Sequence, residues 1–162
     1  MRVLGLDPGL RVTGWGVIEM VGHHLRYVAD GTVRSTDKLS LPERLAQLHQ
    51  GVAALIDQWK PDEAAVEQTF VNVNPESTLK LGQARGVVLL APALAGLFVG
   101  EYTPAAVKQA VVGTGRAAKD QVAMMVRALL PGCLTTQSDA ADALGVAICH
   151  AHHRATLRKV MR

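Results

Sequence analysis

The chain has 162 residues, 49% of them hydrophobic but only 4% aromatic, and carries 17 Lys and Arg against 14 Asp and Glu, a formal net charge of +3. This is enough for one domain with a sizeable core and too little for two ordinary ones, and the implied core is aliphatic, which suits strands sandwiched between helices and excludes a disordered chain. Cys133 and Cys149 lack CxxC or Cys/His spacing, so neither a disulfide framework nor a zinc site is indicated and a reducing compartment fits.

The first expected strand, residues 2–6, is apolar and runs straight into Asp7, Pro8 and Gly9. Residues 13–19 and 25–34 read as two further strands of an antiparallel meander. The period then changes. Leu41, Leu45, Leu48, Val52, Leu55 and Ile56 share one helical face, and Ser40 with Glu43 makes a capping box at its start. After Pro61, "EAAVEQ" reads as a short buried strand reaching Glu67, and the strand–helix–strand order predicts a parallel crossover. Asn74 and Pro75 open the next helix as N-cap and first-turn proline, and residues 97–102 make the last strand.

The remainder is helical: "PAAVKQAVVG", then "AAKDQVAMMVRALL" with Val122, Met125, Val126 and Leu129 inward, then "SDAADALGVAICHAHH". Residues 154–162 read as a basic tail that touches DNA or frays. The whole pattern predicts one three-layer α/β domain over residues 1–162. No signal-peptide layout opens the chain, and the longest apolar stretch, 86–100, is interrupted by Pro92, so a cytoplasmic protein without membrane contact is expected.

Four carboxylates stand out. Asp7 and Glu67 each interrupt the apolar end of an expected central strand, where an unpaired charge costs several kcal/mol. Asp139 and Asp142 lie three residues apart on the last helix, so they leave it roughly 60° apart, on one side. Taken singly, each has an ordinary explanation: pairing with Lys or Arg, water at the sheet edge, or complementing the helix dipole. Taken together they point to a site, because α/β sheets place sites at the carboxyl ends of strands where the strand direction changes. Like charges about 4 Å apart repel by roughly 4 kcal/mol at an effective dielectric of 20, so a convergent set calls for cations. Oxygen-only ligands favour Mg²⁺ or Mn²⁺ over zinc. His150, His152 and His153 are excluded from that centre, since eight residues of helix separate His150 from Asp142 by about 12 Å.

"LGLDPGLRVTGWGV", "VEQTF", "STLKLGQARGV", "VKQAVVGTGRAAKDQV" and "SDAADALGVAI" resemble, in order and across nearly the whole chain, the successive motifs of the RuvC family of Holliday junction resolvases. The resemblance implies a ribonuclease H-like fold with a mixed five-stranded sheet flanked by helices. It also implies metal ligation by Asp7, Glu67, Asp139 and Asp142, and hydrolysis of a phosphodiester with two Mg²⁺ ions per site, Mn²⁺ substituting. Lys108, Lys119 and Arg116 become candidate phosphate contacts, Lys119 also a catalytic one. Phe70, three residues past Glu67, becomes a base-stacking candidate at an opened junction. Val73 stands where the family often has a basic residue. The implied partners are a four-way DNA junction, a second copy in a homodimer, with Gly82, Ala84 and Gly86 near the contact, and the branch-migration proteins RuvA and RuvB. Competing expectations are another ribonuclease H-like nuclease acting on hybrids or flaps, a non-catalytic DNA-binding module, and an actin-like ATPase lobe. The last shares an Asp-containing first hairpin but needs a second similar lobe.

Overall fold

The computed structural model describes residues 1–68 and 73–160. Strands β1 (Arg2–Asp7), β2 (Val12–Val21) and β3 (His24–Arg34) form the meander, helix α1 (Leu41–Trp59) leads to β4 (Glu63–Glu67), and α2 (Pro75–Leu94) leads to β5 (Phe98–Tyr102). Helices α3 (Pro104–Val112), α4 (Lys119–Leu129) and α5 (Ser138–Val160) follow. The five strands lie in the order β3-β2-β1-β4-β5. The meander pairs are antiparallel and β1, β4 and β5 run parallel, so the mixed five-stranded sheet and the parallel crossover are as the sequence predicts.

Local signals set the helix boundaries. The Ser40 side chain accepts from the Glu43 backbone N–H, and Lys60 in the left-handed region ends α1. The Asn74 side chain accepts from the N–H groups of Glu76 and Ser77, and α2 runs on through Pro92 in its last turn to Leu94. Helix α5 also outlasts its sequence-based limit. Residues 154–160 continue the helix instead of leaving it as a tail, because Arg154 is tied by its guanidinium to Glu63 on β4.

Strand alternation divides the core in two. Leu4, Leu6, Val17 and Val66 face α1 and α2, where they meet Val52, Ile56 and Val88. Val3, Ile18 and Ala65 face the other way, toward α3, α4 and α5, where they meet Val107, Val126 and Leu144. That second layer is unusually close. A Cβ at Gly5 would overlap the carbonyl oxygen of Ala143, and one at Gly14 would overlap the carbonyl of Asp139. Helix α5 therefore rests directly on the backbones of β1 and β2. Among the described residues no helix is long and apolar enough to cross a membrane.

Gly5→Ala should destabilise the protein by about 3 kcal/mol, the upper end of ordinary overpacking, since the obstruction is backbone and cannot rotate away. The thermal midpoint should fall by roughly 10 °C for a chain of this size. A midpoint within a degree or two of wild type would show that α5 can lift off the sheet without penalty.

Candidate active site

Asp7 and Glu67 are the final residues of β1 and β4, which run side by side. The last register pair between the strands is Leu6 with Val66, so the two carboxylates lie one step beyond it, as neighbours. They share a hydrogen bond. Asp139 and Asp142 come from the first turns of α5. The approach at Gly14, itself in register with Asp7, brings the Asp139 backbone down beside β1 and β2. The four carboxylates singled out in the sequence are thus gathered at one end of the sheet.

Their electrostatics show the crowding. Burial is the main cause that pushes the Asp7 carboxyl up to about 8, and the charges of Glu67, Asp142 and Asp139 push the same way. Glu67 is also raised, first by burial and then by Asp142, while Lys108 and Lys119 pull it back. Asp142 is raised by burial against the opposing pull of Lys119. Burial and the neighbouring acids thus favour the protonated form of the Asp7 carboxyl, the hydrogen-bond partner of Glu67.

A cleft of about 190 Å³ opens at this point between Glu67, Asp142, Lys108 and Lys119, over an apolar wall that includes Val107 and Val122. Lys119 Nζ stands 3.4 Å from Asp142 Oδ2 while its side chain is 70% exposed, so most of its donors face solvent. Lys108 and Lys119 therefore line the same cleft as Glu67 and Asp142. Arg116 lies apart, exposed in the turn between α3 and α4, and borders neither this cleft nor the one beside Arg127 and Ser138. Phe70 lies outside the described residues.

Two contributions escaped the sequence reading. The Asp139 and Asp142 segment also borders a second cleft that contains Arg127, Thr135, Thr136 and Ser138, polar residues whose spacing carries no periodic signal. Gly14 is the other, and its signal was available: a glycine inside a strand marks a close approach of another backbone.

The donor set is carboxylate oxygen only, which is the chemistry of hard divalent cations. Among the described residues no three Asp, Glu, His or Cys side chains stand close enough together to enclose an ion as they are placed. By that chemistry the four carboxylates fit a divalent ion, whose charge would offset the burial and mutual repulsion that raise Asp7, Glu67 and Asp142.

A sign follows for stability. Between the ordinary carboxylate range and about pH 8, the upper limit set by Asp7, the folded metal-free protein binds more protons than the unfolded chain. Stability therefore falls as pH rises through that window. Without metal, the melting midpoint should be lower at about pH 9 than at about pH 6, and the difference should shrink in Asp7→Asn. Millimolar Mg²⁺ should raise the midpoint most at the higher pH, where no proton competes. Equal midpoints at both pH values in wild type would contradict the buried, mutually repelling arrangement.

Comparison with known proteins agrees with this geometry. The family described as "Crossover junction endodeoxyribonuclease RuvC" matches residues 3–150. The crossover junction endodeoxyribonuclease RuvC of Paramagnetospirillum magneticum is 67% identical over 162 residues, covering 100% of this chain and 98% of the relative. That of Rhodospirillum rubrum is 69% identical over 155 residues, covering 96% and 92%. Among solved structures, Thermus thermophilus RuvC in complex with a Holliday junction substrate superimposes with a TM-score of 0.89 at 36% identity over 96% of both chains. The yeast mitochondrial Holliday junction resolvase Ydc2 shares the fold, with a TM-score of 0.67 at 12% identity over 99% of this chain and 86% of that one. With a matching family spanning nearly the whole sequence and relatives this similar from end to end, the chain belongs to the RuvC family of crossover junction endodeoxyribonucleases, which are phosphodiester hydrolases.

Proposed function

We propose that this protein resolves four-way (Holliday) DNA junctions in homologous recombination and DNA repair, nicking two opposed strands symmetrically by metal-assisted hydrolysis. One observation carries the reading. Carboxylates from two adjacent strand ends and from one side of α5 crowd against a cleft whose other charged groups are Lys108 and Lys119. Uncompensated acids beside exposed lysines suit a phosphodiester held through cations, whereas acids alone would repel DNA. The complex of Thermus thermophilus RuvC with its Holliday junction substrate supports the choice of substrate.

Asp7, Glu67, Asp139 and Asp142 would hold the ions. When bound, two Mg²⁺ ions, or Mn²⁺ in their place, supply an activated water and neutralise charge on the leaving 3′ oxygen. Water attacks the phosphorus, the bond to the 3′ oxygen breaks, and the products carry a 5′-phosphate and a 3′-hydroxyl. Lys119 reaches Asp142 with one donor and has others free for a phosphate oxygen, so its charge opposes the negative charge that grows in the transition state. Lys108, beside Glu67, grips a neighbouring phosphate. Arg116, exposed in its turn, contacts the backbone farther out. Phe70 would stack on a base exposed where the crossover opens, a contact of about 1–3 kcal/mol per base.

A homodimer completes the reading. Leu79 and Leu90 on α2 are 64% and 49% exposed. Gly82 and Gly86 lie on the same stripe with nothing within 4 Å of a built Cβ. Such an apolar, small-residue face admits the close approach of a second copy, and two-fold pairing would set two active sites against the two-fold symmetry of a junction. Family membership supports RuvA and RuvB as partners and a cytoplasmic setting.

The deciding experiment is cleavage of a synthetic four-way junction beside linear duplex, flap and RNA–DNA hybrid, with and without Mg²⁺. Metal-dependent paired nicks confined to the junction are expected. Asp7→Asn, Glu67→Gln, Asp139→Asn and Asp142→Asn should each lower cleavage at least a hundredfold, roughly 3 kcal/mol at 1.4 kcal/mol per decade. Junction affinity should hold or improve in each, since a negative charge near phosphate is lost. Equal cutting of hybrid and junction would replace the resolvase reading with a general ribonuclease H-like one.

Lys119→Ala should lower the cleavage rate more than junction affinity, as a contact strengthened in the transition state does. Single-turnover rates and gel-shift titrations in Ca²⁺ separate the two effects. A fall in affinity that matches the fall in rate would make Lys119 an anchor only.

A further inference from the structure

Strand β4 presents three residues to α5 by alternation: Glu63, Ala65 and Glu67. Ala65 packs in the α5-side core, and Glu67 meets Asp142 at the active end. Glu63, at the other end, meets a cluster to which the reaction assigns no part. Its Oε2 lies 2.5 Å from Nε2 of His150, which is fully buried. Arg154 Nε reaches both Glu63 oxygens, at 3.2 and 2.9 Å, and its Nη2 adds a third contact. On its far side, His150 Nδ1 is 2.8 Å from the Tyr102 hydroxyl. Gly100 makes the room, since a Cβ there would come within 2.7 Å of His150 Nδ1 and 3.0 Å of the Tyr102 hydroxyl. The Phe98 ring, with Arg154 Cζ 4.8 Å from its centroid, covers the guanidinium.

The proton positions follow from the surroundings. Arg154 and His150 hold the Glu63 carboxyl below its ordinary range, and burial keeps the imidazole neutral. Nε2–H therefore donates to Glu63, and Nδ1 accepts from the Tyr102 O–H, which burial holds protonated, its pKa pushed up to about 12. Arg154 and Glu63 balance in charge, and both imidazole nitrogens are used. Unlike the carboxylates at the other end, this cluster is complete without a ligand.

Its place in the fold gives it a task. Four residues of β4 separate Glu63 from Glu67, about 13 Å of strand. Eight residues of α5 separate Asp142 from His150, about 12 Å of helix. The two clusters are matched rungs between the same strand and the same helix. Tyr102 ties in a third element, because it is in register with Glu67 and its carbonyl accepts from the Gln68 N–H at 2.7 Å, just beyond the active carboxylate. A slip of α5 by one residue would move Asp142 about 1.5 Å relative to Glu67, far more than a metal–oxygen bond tolerates. Buried ion pairs add little net stability over a packed apolar set, and fixing register is their best-attested use.

We propose that Glu63, His150, Tyr102 and Arg154 form a positioning clasp that sets the register of α5 against β4 and thereby the spacing at which Glu67 and Asp142 receive divalent ions. The inference rests on the reading of those carboxylates as metal ligands.

The test uses Glu63→Gln and the volume-conserving Tyr102→Phe, each checked as folded by circular dichroism at the assay temperature. Two measurements are made: calorimetric binding of Mn²⁺ to the DNA-free protein, and the Mg²⁺ dependence of single-turnover junction cleavage. Glu63→Gln should weaken Mn²⁺ binding and raise the half-saturating Mg²⁺ by about tenfold, the low end for outer-shell changes. Tyr102→Phe, which removes one neutral hydrogen bond, should shift both in the same direction by about threefold. Saturating Mg²⁺ should restore most of the rate, and junction affinity in Ca²⁺ should be unchanged. Variants that melt lower but keep the wild-type metal dependence would overturn the proposal, as would a lost rate that no metal concentration restores. Should Glu63→Gln fail to fold, Tyr102→Phe decides alone, and wild-type values for it overturn the clasp. Wild-type protein that neither binds Mn²⁺ nor cuts a junction would refute the functional reading itself.

Discussion

Helix α5 lies against β1 and β2 with backbone touching backbone, and the active end of the molecule depends on that approach. Side chains at Gly5 or Gly14 would meet the carbonyls of Ala143 and Asp139, so the helix would have to ride higher. Asp139 and Asp142 would then stand away from Asp7 and Glu67. Because a core packs at crystalline density, such a displacement spreads to the neighbouring contacts. Val107 of α3 and Val126 of α4 belong to the same α5-side core as Ala147 and Ile148, so the elements that carry Lys108 and Lys119 are seated by the same helix. One close contact thus sets acids and lysines together.

The contact is closest where the charges are worst placed. A strand end beside a helix is poorly hydrated, and desolvation is the largest reason that Asp7, Glu67 and Asp142 all resist ionisation. Lys119 and Lys108 offset part of this from the rim but remain largely or partly in solvent. Full neutralisation of the acids from within the protein would leave nothing to attract a cation. The fold accordingly holds a strained electrostatic state at one end of β4, and a functional site is where such local inconsistency belongs.

The other end of β4 shows the opposite solution. Glu63 is as awkward on a central strand as Glu67, yet Arg154 and His150 satisfy it completely. Two glutamates four residues apart on one strand face, both opposite α5, are therefore treated differently by what the helix brings to each: acids to one, base and imidazole to the other. A helix bound firmly at one end and held near repelling charges at the other has a defined geometry before any ligand arrives, which is the preorganisation that precise sites require.

Much of this was legible in the chain itself. Alternation and helical period mark the strands and helices, Ser40 and Asn74 announce helix starts, and Asp7 and Glu67 stand out because an unpaired charge at the end of an apolar strand is costly. Those signals are local, and local physical chemistry decides them. The clasp was not legible: Glu63, Tyr102, His150 and Arg154 come from three elements, and each alone reads as an ordinary surface or core residue. The same holds for Arg154, which composition places in a basic tail and tertiary pairing places in a helix. Residue identity thus determined which groups carry charge and where secondary structure begins. Only the packing of α5 on its glycine floor decided which charges meet, because burial and distance, which set the strength of every electrostatic term, exist only once distant segments are brought together.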